Sequence, residues 1–287
     1  MGIIFDRLRL YLDTMNRIKP FGYLFLAIAA AIAVPLKGQK KDANSSQKSI
    51  KAFTKFYPNT TLKRITEQNI HTSMVNMGEN IEMDAVSTTY TSEVIFAPAG
   101  DSQTLQVFPF KVEGYISTNG TKQDIGQNTS NELFYVVDSK GILTNIKGDT
   151  NYIKALKLSG INNAQLGLNM MVYFKHNKEL FLGDSFQLNH KGNPYSFNKT
   201  LVLTKMNSEE AEFTTNTTIV LDHNYDMSNY DIHQHVEGSS TGIMKVRLSD
   251  YLVTYNEENL NLAGYMEMVS VNIPLTIKGV MKETVSQ

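Results

Sequence analysis

The chain of 287 residues has no cysteine, no tryptophan, only seven prolines and almost no net charge, with 27 basic against 28 acidic side chains. The absence of cysteine excludes disulfides, thiolate metal ligands, a cysteine nucleophile and a lipid-modified N-terminal cysteine. A net charge of −1 leaves no electrostatic footprint for a nucleic acid. There is no Gly-x-Ser-x-Gly elbow, no His-Glu-x-x-His helix and no Gly-rich phosphate loop. The sequence therefore offers no catalytic constellation, and no cofactor is expected.

Long apolar runs are scarce as well. The clearest is Phe21 to Leu36, sixteen uncharged residues, shorter than the roughly 20 that span a bilayer as a helix. With Arg17 and Lys19 before it and small Ala31 and Ala33 within it, it reads as a secretory signal peptide cleaved near Ala33. Met15 is a natural start for such a peptide. Residues 1–14, with Ile4 and Leu8 at helical spacing, otherwise read as an amphipathic helix. If uncleaved, the segment is a membrane anchor, and membrane contact is expected through it alone. The expected organisation is a signal peptide over 1–33, a flexible tether over 34–49 and a single β-rich domain over 50–287. The expected location is periplasmic or extracellular. Four basic and two acidic residues in 1–33 leave −3 for the remainder, which suits a soluble exported domain.

What the chain has in quantity is alternation of β-branched and aromatic residues with polar ones, the signature of half-buried strands. Leu133–Val137 and Ile142–Ile146 flank Asp138-Ser139-Lys140-Gly141, a hairpin turn. Asn207-Ser208-Glu209-Glu210 joins Phe197–Met206 to Ala211–Leu221, and Asn256-Glu257-Glu258-Asn259 is read as joining Ile243–Tyr255 to Leu260–Ile277. Glu257 and Glu258 are thereby expected in solvent. Gly264 and Pro274 read as bends within the last hairpin. Short links between long strands imply an antiparallel meander, and long strands with one apolar face curl. Residues 149–175 break the pattern, with helical spacing at Ile153, Leu156, Ala164, Leu168 and Met171. The expected fold is mainly β (α+β), a strongly curved antiparallel sheet or half-barrel with a helical insert near 149–175.

Two groups of residues stand out. Asp231, His233, His235 and Glu237 share one face of a strand. His233, His235 and Glu237 so placed can ligate Zn²⁺ or another divalent ion; otherwise they form a solvated polar face. Thirteen methionines supply soft, adaptable apolar surface. Met83, Phe110, Met170 and Met171, with Phe174, Met266 and Met268, can line a cavity for an apolar ligand or serve as core filling.

Phe181-Leu182-Gly183-Asp184-Ser185-Phe186 resembles the hydrophobic–x–Gly-Asp-Ser-aromatic signature of uncharacterised exported β-rich proteins of Bacteroidota. Those proteins usually carry Trp where Phe186 stands, and often a Gly-x-x-x-Gly strand start like Gly238 to Gly242. The resemblance covers about 173–282. At the level of architecture the chain is similar to periplasmic lipoprotein carriers, half-barrels with helices on the concave side. The resemblance carries over no catalytic residue. It implies a non-catalytic binding or carrier-like protein of the bacterial envelope, with a lipid-like ligand or an envelope protein as partner. The alternatives are a structural or interaction protein of the outer envelope and a metal-dependent enzyme using His233 and His235.

Overall fold

The computed structural model describes residues 49–51, 60–76, 78–96, 102–124, 127–128, 133–138, 143–148, 173–174, 176–192, 195–227, 230–268 and 271–287. Among them there are strands and no helix: β1 (Ser49–Ile50), β2 (Thr60–Asn76), β3 (Glu79–Ile95), β4 (Gln103–Thr118), β5 (Thr121–Asp124), β6 (Gln127–Asn128), β7 (Leu133–Val137), β8 (Leu143–Gly148), β9 (Leu180–Phe181), β10 (Ser185–His190), β11 (Tyr195–Met206), β12 (Glu210–Met227), β13 (Tyr230–Arg247), β14 (Val253–Met268) and β15 (Val271–Ser286). One antiparallel sheet runs β10-β11-β12-β13-β14-β15-β2-β3-β4-β7-β8, with β5 and β6 also on β4. This path is open and does not close into a barrel. β1 and β9 form a separate two-stranded sheet. Strands of 16 to 18 residues such as β13 and β14 extend about 55 Å at the usual rise per residue.

The period of two gives the sheet unlike faces. Ile70, Ala85, Ile219, Val236, Leu262 and Ile277 all point to the inner face and are buried. The outer face carries charge on strand after strand: Glu67 on β2, Asp84 on β3, Asp222 on β12, Glu237 on β13, Glu257 on β14 and Lys278 on β15. An outer-membrane barrel needs an outward apolar band about 25 Å tall. Here the exposed apolar side chains on the outside, such as Ile65, Tyr90 and Val280, are interspersed among these charges.

The inner face holds three apolar clusters. The largest lies towards one end of the strands, and its buried members all come from strands of the one sheet, from Tyr195 and Phe197 on β11 to Met83 and Ala85 on β3. Towards the other end lie two more. One joins Leu62, Ile95, Leu105 and Val285 with Tyr173 and Leu252. The second joins Leu201, Phe213 and Val246 with Ile50, Phe174 and Leu180. There Phe174 packs on Phe213 at 4.7 Å and on Phe186 at 5.3 Å between ring centroids. The small β1–β9 sheet thus seats its side chains on one end of the large one.

Two glycines mark places where neighbouring backbones come close. A Cβ placed on Gly242 would overlap the Glu257 carbonyl oxygen, and one on Gly264 would overlap that of His235. Both glycines lie on the inner face, Gly242 opposite Glu258 and Gly264 opposite Val236. A side chain has no room at either position, and glycine inside a strand marks such close approach of another backbone.

Three expectations are corrected. The helical insert near 149–175 is not borne out: residues 149–172 lie outside the described residues, and at the described end Tyr173 is in an extended bridge with Leu252. Asn256-Glu257-Glu258-Asn259 is no turn but the middle of β14, paired on one side with β13 and on the other with β15. Consequently Ile243–Tyr255 and Leu260–Ile277 are not continuous strands; β13 ends at Arg247 before β14 begins at Val253, and β14 ends at Met268 before β15 begins at Val271. Pro274 is tolerated inside β15 because it stands one residue before the β15–β2 ladder begins at Leu275.

Candidate functional site

Between the apolar clusters the inner face changes character. One line of cross-strand partners runs Thr215–Gly242–Glu258–Met281–Gln68–Ser87. It crosses six adjacent strands, is polar except at Gly242 and Met281, and has further polar residues near it on the same face: Lys199, Thr217, Ser240, Asn256, Glu283 and Arg64. These residues form a polar belt across the face of a sheet that is apolar above and below it.

The belt contains two buried ionic centres. Glu258, 1% exposed, accepts from Lys199 Nζ at 2.8 Å, Thr215 Oγ1 at 2.9 Å and Ser240 Oγ at 2.6 Å. Lys199 stands on β11, three strands away from β14. The bridge is reachable because Gly242 between them has no side chain; its absent Cβ would lie 2.8 Å from Glu258 Oε2. A buried charge is tolerated only when paired and hydrogen-bonded, and Glu258 has donors on both oxygens. Nearby, burial and the Glu258 carboxylate push the Tyr195 phenol well above its ordinary range.

The second centre is Arg64, which donates to Glu93 through Nε at 2.8 Å and Nη2 at 3.1 Å, a bidentate pair. Its Nη1 lies 3.4 Å from Glu283. Burial pulls the guanidinium down, but Glu93 and Glu283 together outweigh it and the net shift is upward. Buried hydroxyls of Ser87 and Thr217, and the buried amide oxygen of Asn256, have no hydrogen-bond partner among the described residues.

The expected metal ligands lie elsewhere, on the outer face. His233 Nε2 and His235 Nδ1 both face Asp222, at 2.8 and 3.0 Å. Asp222 pairs directly with His235 in the β12–β13 ladder, and Tyr265 stacks on His235 with centroids 5.7 Å apart. A carboxylate only accepts, so each ring nitrogen facing it carries a proton. Hydrogen bonds from His233 and His235 hold the Asp222 carboxyl below its usual range. Glu237 stands exposed on the same face, further along β13. Among the described residues no group of three or more His, Asp or Glu side chains is gathered to hold a metal ion.

Of the proposed cavity residues, Met83 is buried in the largest cluster and Met266 packs against it, while Phe174 belongs to the cluster around Phe213. Phe110 and Met268 stand on β4 and β14 with side chains outside the described set, and Met170 and Met171 lie outside the described residues altogether. Gly183 and Asp184 form the turn between β9 and β10, where Asp184 Oδ2 accepts from the Phe181 backbone at 2.9 Å.

No protein-family model matches the chain, and no curated protein matches it. Among solved structures, one of lipovitellin, titled for its lipid–protein interactions, is 13% identical with a TM-score of 0.42. That match covers 81% of this chain, which spans about a quarter (26%) of the lipovitellin chain. The β domain of the Bordetella autotransporter BrkA is 5% identical over 77% of this chain and 98% of its own, with a TM-score of 0.32. An outer-membrane channel from Pseudomonas putida F1 is 9% identical over 81% of this chain and 97% of its own, with a TM-score of 0.29. At these scores none of them places the chain in a family.

Proposed function

We propose that this chain is an exported, non-catalytic binding protein that holds an apolar or amphiphilic ligand against the inner face of its sheet. The observation that carries the reading is the largest apolar cluster. Its buried members all belong to one sheet, and no second described sheet interdigitates with it, as happens in a sandwich. The reversed polarity of the two faces supports the same reading. The charged outer face suits water, and the inner face suits a lipid-like molecule. Met74, Met83, Met266 and Met281 in or against the cluster give it adaptable walls. The uncharged run 21–36, read as an export signal, supports a location in the bacterial envelope.

The test is uptake of the apolar dye N-phenyl-1-naphthylamine by the purified full chain. Saturable enhancement of its fluorescence, displaced by a long-chain amphiphile, is expected. No enhancement above that of a denatured control would overturn the reading.

A further inference from the structure

The unmet carboxylate and amide acceptors of the belt lie at one place. It holds three carboxylates, Glu93, Glu258 and Glu283, against two cations, Arg64 and Lys199. Glu258 is saturated by Lys199, Thr215 and Ser240. Glu93 takes both hydrogen bonds of Arg64 and one from Thr91 at 3.3 Å. Glu283 is left with one contact among the described residues, 3.4 Å to an Arg64 already committed to Glu93. Its cross-strand neighbours are Asn256 on β14 and Thr66 on β2, and the buried Oδ1 of Asn256 accepts from nothing among the described residues. Buried polar atoms are almost always satisfied, and leaving one unpaired is costly. An arrangement with surplus acceptors at one place is completed by a molecule that brings donors there. Glu283 is also the point of access, since its side chain is 26% exposed while that of Glu258 is 2% exposed.

We propose that Glu283 and Asn256 receive a cationic, hydrogen-bond-donating head group of an amphiphile whose chain lies along the largest apolar cluster. This rests on the binding reading given above and specifies its ligand class. The geometry joins the two parts: Met281 and Leu260, the first apolar members next to the belt, belong to that cluster and stand two residues beyond Glu283 and four beyond Asn256 on the same face. A carboxylate head would bring acceptors to a place that already has too many, and would meet Glu283 as a like charge.

The experiment displaces N-phenyl-1-naphthylamine from the full chain at pH 7 with dodecylamine, dodecanol and dodecanoate, each below its micelle concentration. Dodecylamine is expected to displace the dye at a concentration at least tenfold below dodecanoate, with dodecanol between them. Glu283→Gln should abolish the preference for the amine while moving dodecanol less than twofold. Asn256→Asp, which adds a charge at the neighbouring position, should strengthen it. If the three displace alike, or if both variants keep the wild-type preference, the head-group assignment is overturned and the binding reading stands. If the dye is not taken up at all, the binding reading itself has failed and the assignment with it. Methylamine, the head without a chain, should not displace the dye; displacement by it would contradict the part assigned to the apolar cluster.

Discussion

Lys199 and Glu258 meet at 2.8 Å across two intervening strands, over the backbone of Gly242. The pair is buried on both sides, at 9% and 2% side-chain exposure, within the polar belt of the inner face. Removing one partner of such a pair strands a charge, at a cost of about 3–5 kcal/mol, whereas replacing both with apolar residues of similar volume is often neutral or stabilising. Glu258→Leu and Lys199→Met should each lower stability by that amount, and the double variant should recover most of the loss. Urea denaturation of the four proteins, read as a double-mutant cycle, checks this. Additive losses would mean the pair is not coupled.

Gly242 is the condition for that bridge. A Cβ there overlaps the Glu257 carbonyl and presses on Glu258 Oε2, so Gly242→Ala should cost about 1–3 kcal/mol, the usual range for overpacking. Ser239→Ala, on the opposite face of the same strand, should stay within about 0.5 kcal/mol. Thermal unfolding of the two variants separates them, and equal melting temperatures would contradict the account of the close approach at Gly242.

Two of the groups that make stability depend on acid, His223 and Asp222, act in different windows. Burial lowers the folded pKa of His223 below its ordinary 6.5. The unfolded state therefore binds the proton first, and stability falls as pH drops below about 6.5. Asp222 is held below its ordinary 3.8 by His233 and His235, so its contribution is present above that value and disappears as pH falls through the lower folded pKa. Asp222 is half exposed, and its share is small and salt-sensitive. His223→Gln should reduce the loss of stability as pH falls below about 6.5, and Asp222→Asn the loss below about pH 4. Denaturation midpoints measured across pH test both. An unchanged wild-type slope in either variant would contradict the corresponding assignment.

Phe174 anchors the segment that seats on Phe213 and Phe186. It is fully buried, and Phe174→Ala should cost about 3–5 kcal/mol. The loss should appear as earlier hydrogen exchange at β1 and β9, the elements that depend on that contact. Uniform acceleration over the whole sheet would show instead that the contact is part of one cooperative core.

The strands were legible where their two faces differ. Leu133–Val137 matches β7, and Phe197–Met206 and Ala211–Leu221 fall within β11 and β12, because apolar and polar residues alternate there. Reading failed where the inner face is itself polar. Asn256 and Glu258 point inward while Glu257 and Asn259 point outward, so four polar residues follow one another and imitate a turn. Gly238 to Gly242 reads as the start of a strand for the same reason, and lies in the middle of β13. The belt was therefore hidden by the rule that found the rest of the sheet. Its trace in the sequence is a polar gap recurring in successive long strands, at Thr214–Thr218, Gly238–Gly242 and Asn256–Asn259. Departures from local pattern of this kind tend to mark functional or strained places. His233 and His235 were correctly placed together on one face, but their partner is Asp222 on the adjacent strand, and such pairing depends on a register that periodicity alone does not fix.

The central claim, that the inner face holds an amphiphile, is tested most directly by native mass spectrometry of the full chain purified without detergent. A discrete added mass of lipid size that is lost on denaturation, or the added mass of dodecylamine after incubation with it, is the predicted result. A spectrum showing only the bare chain both before and after that incubation would contradict it.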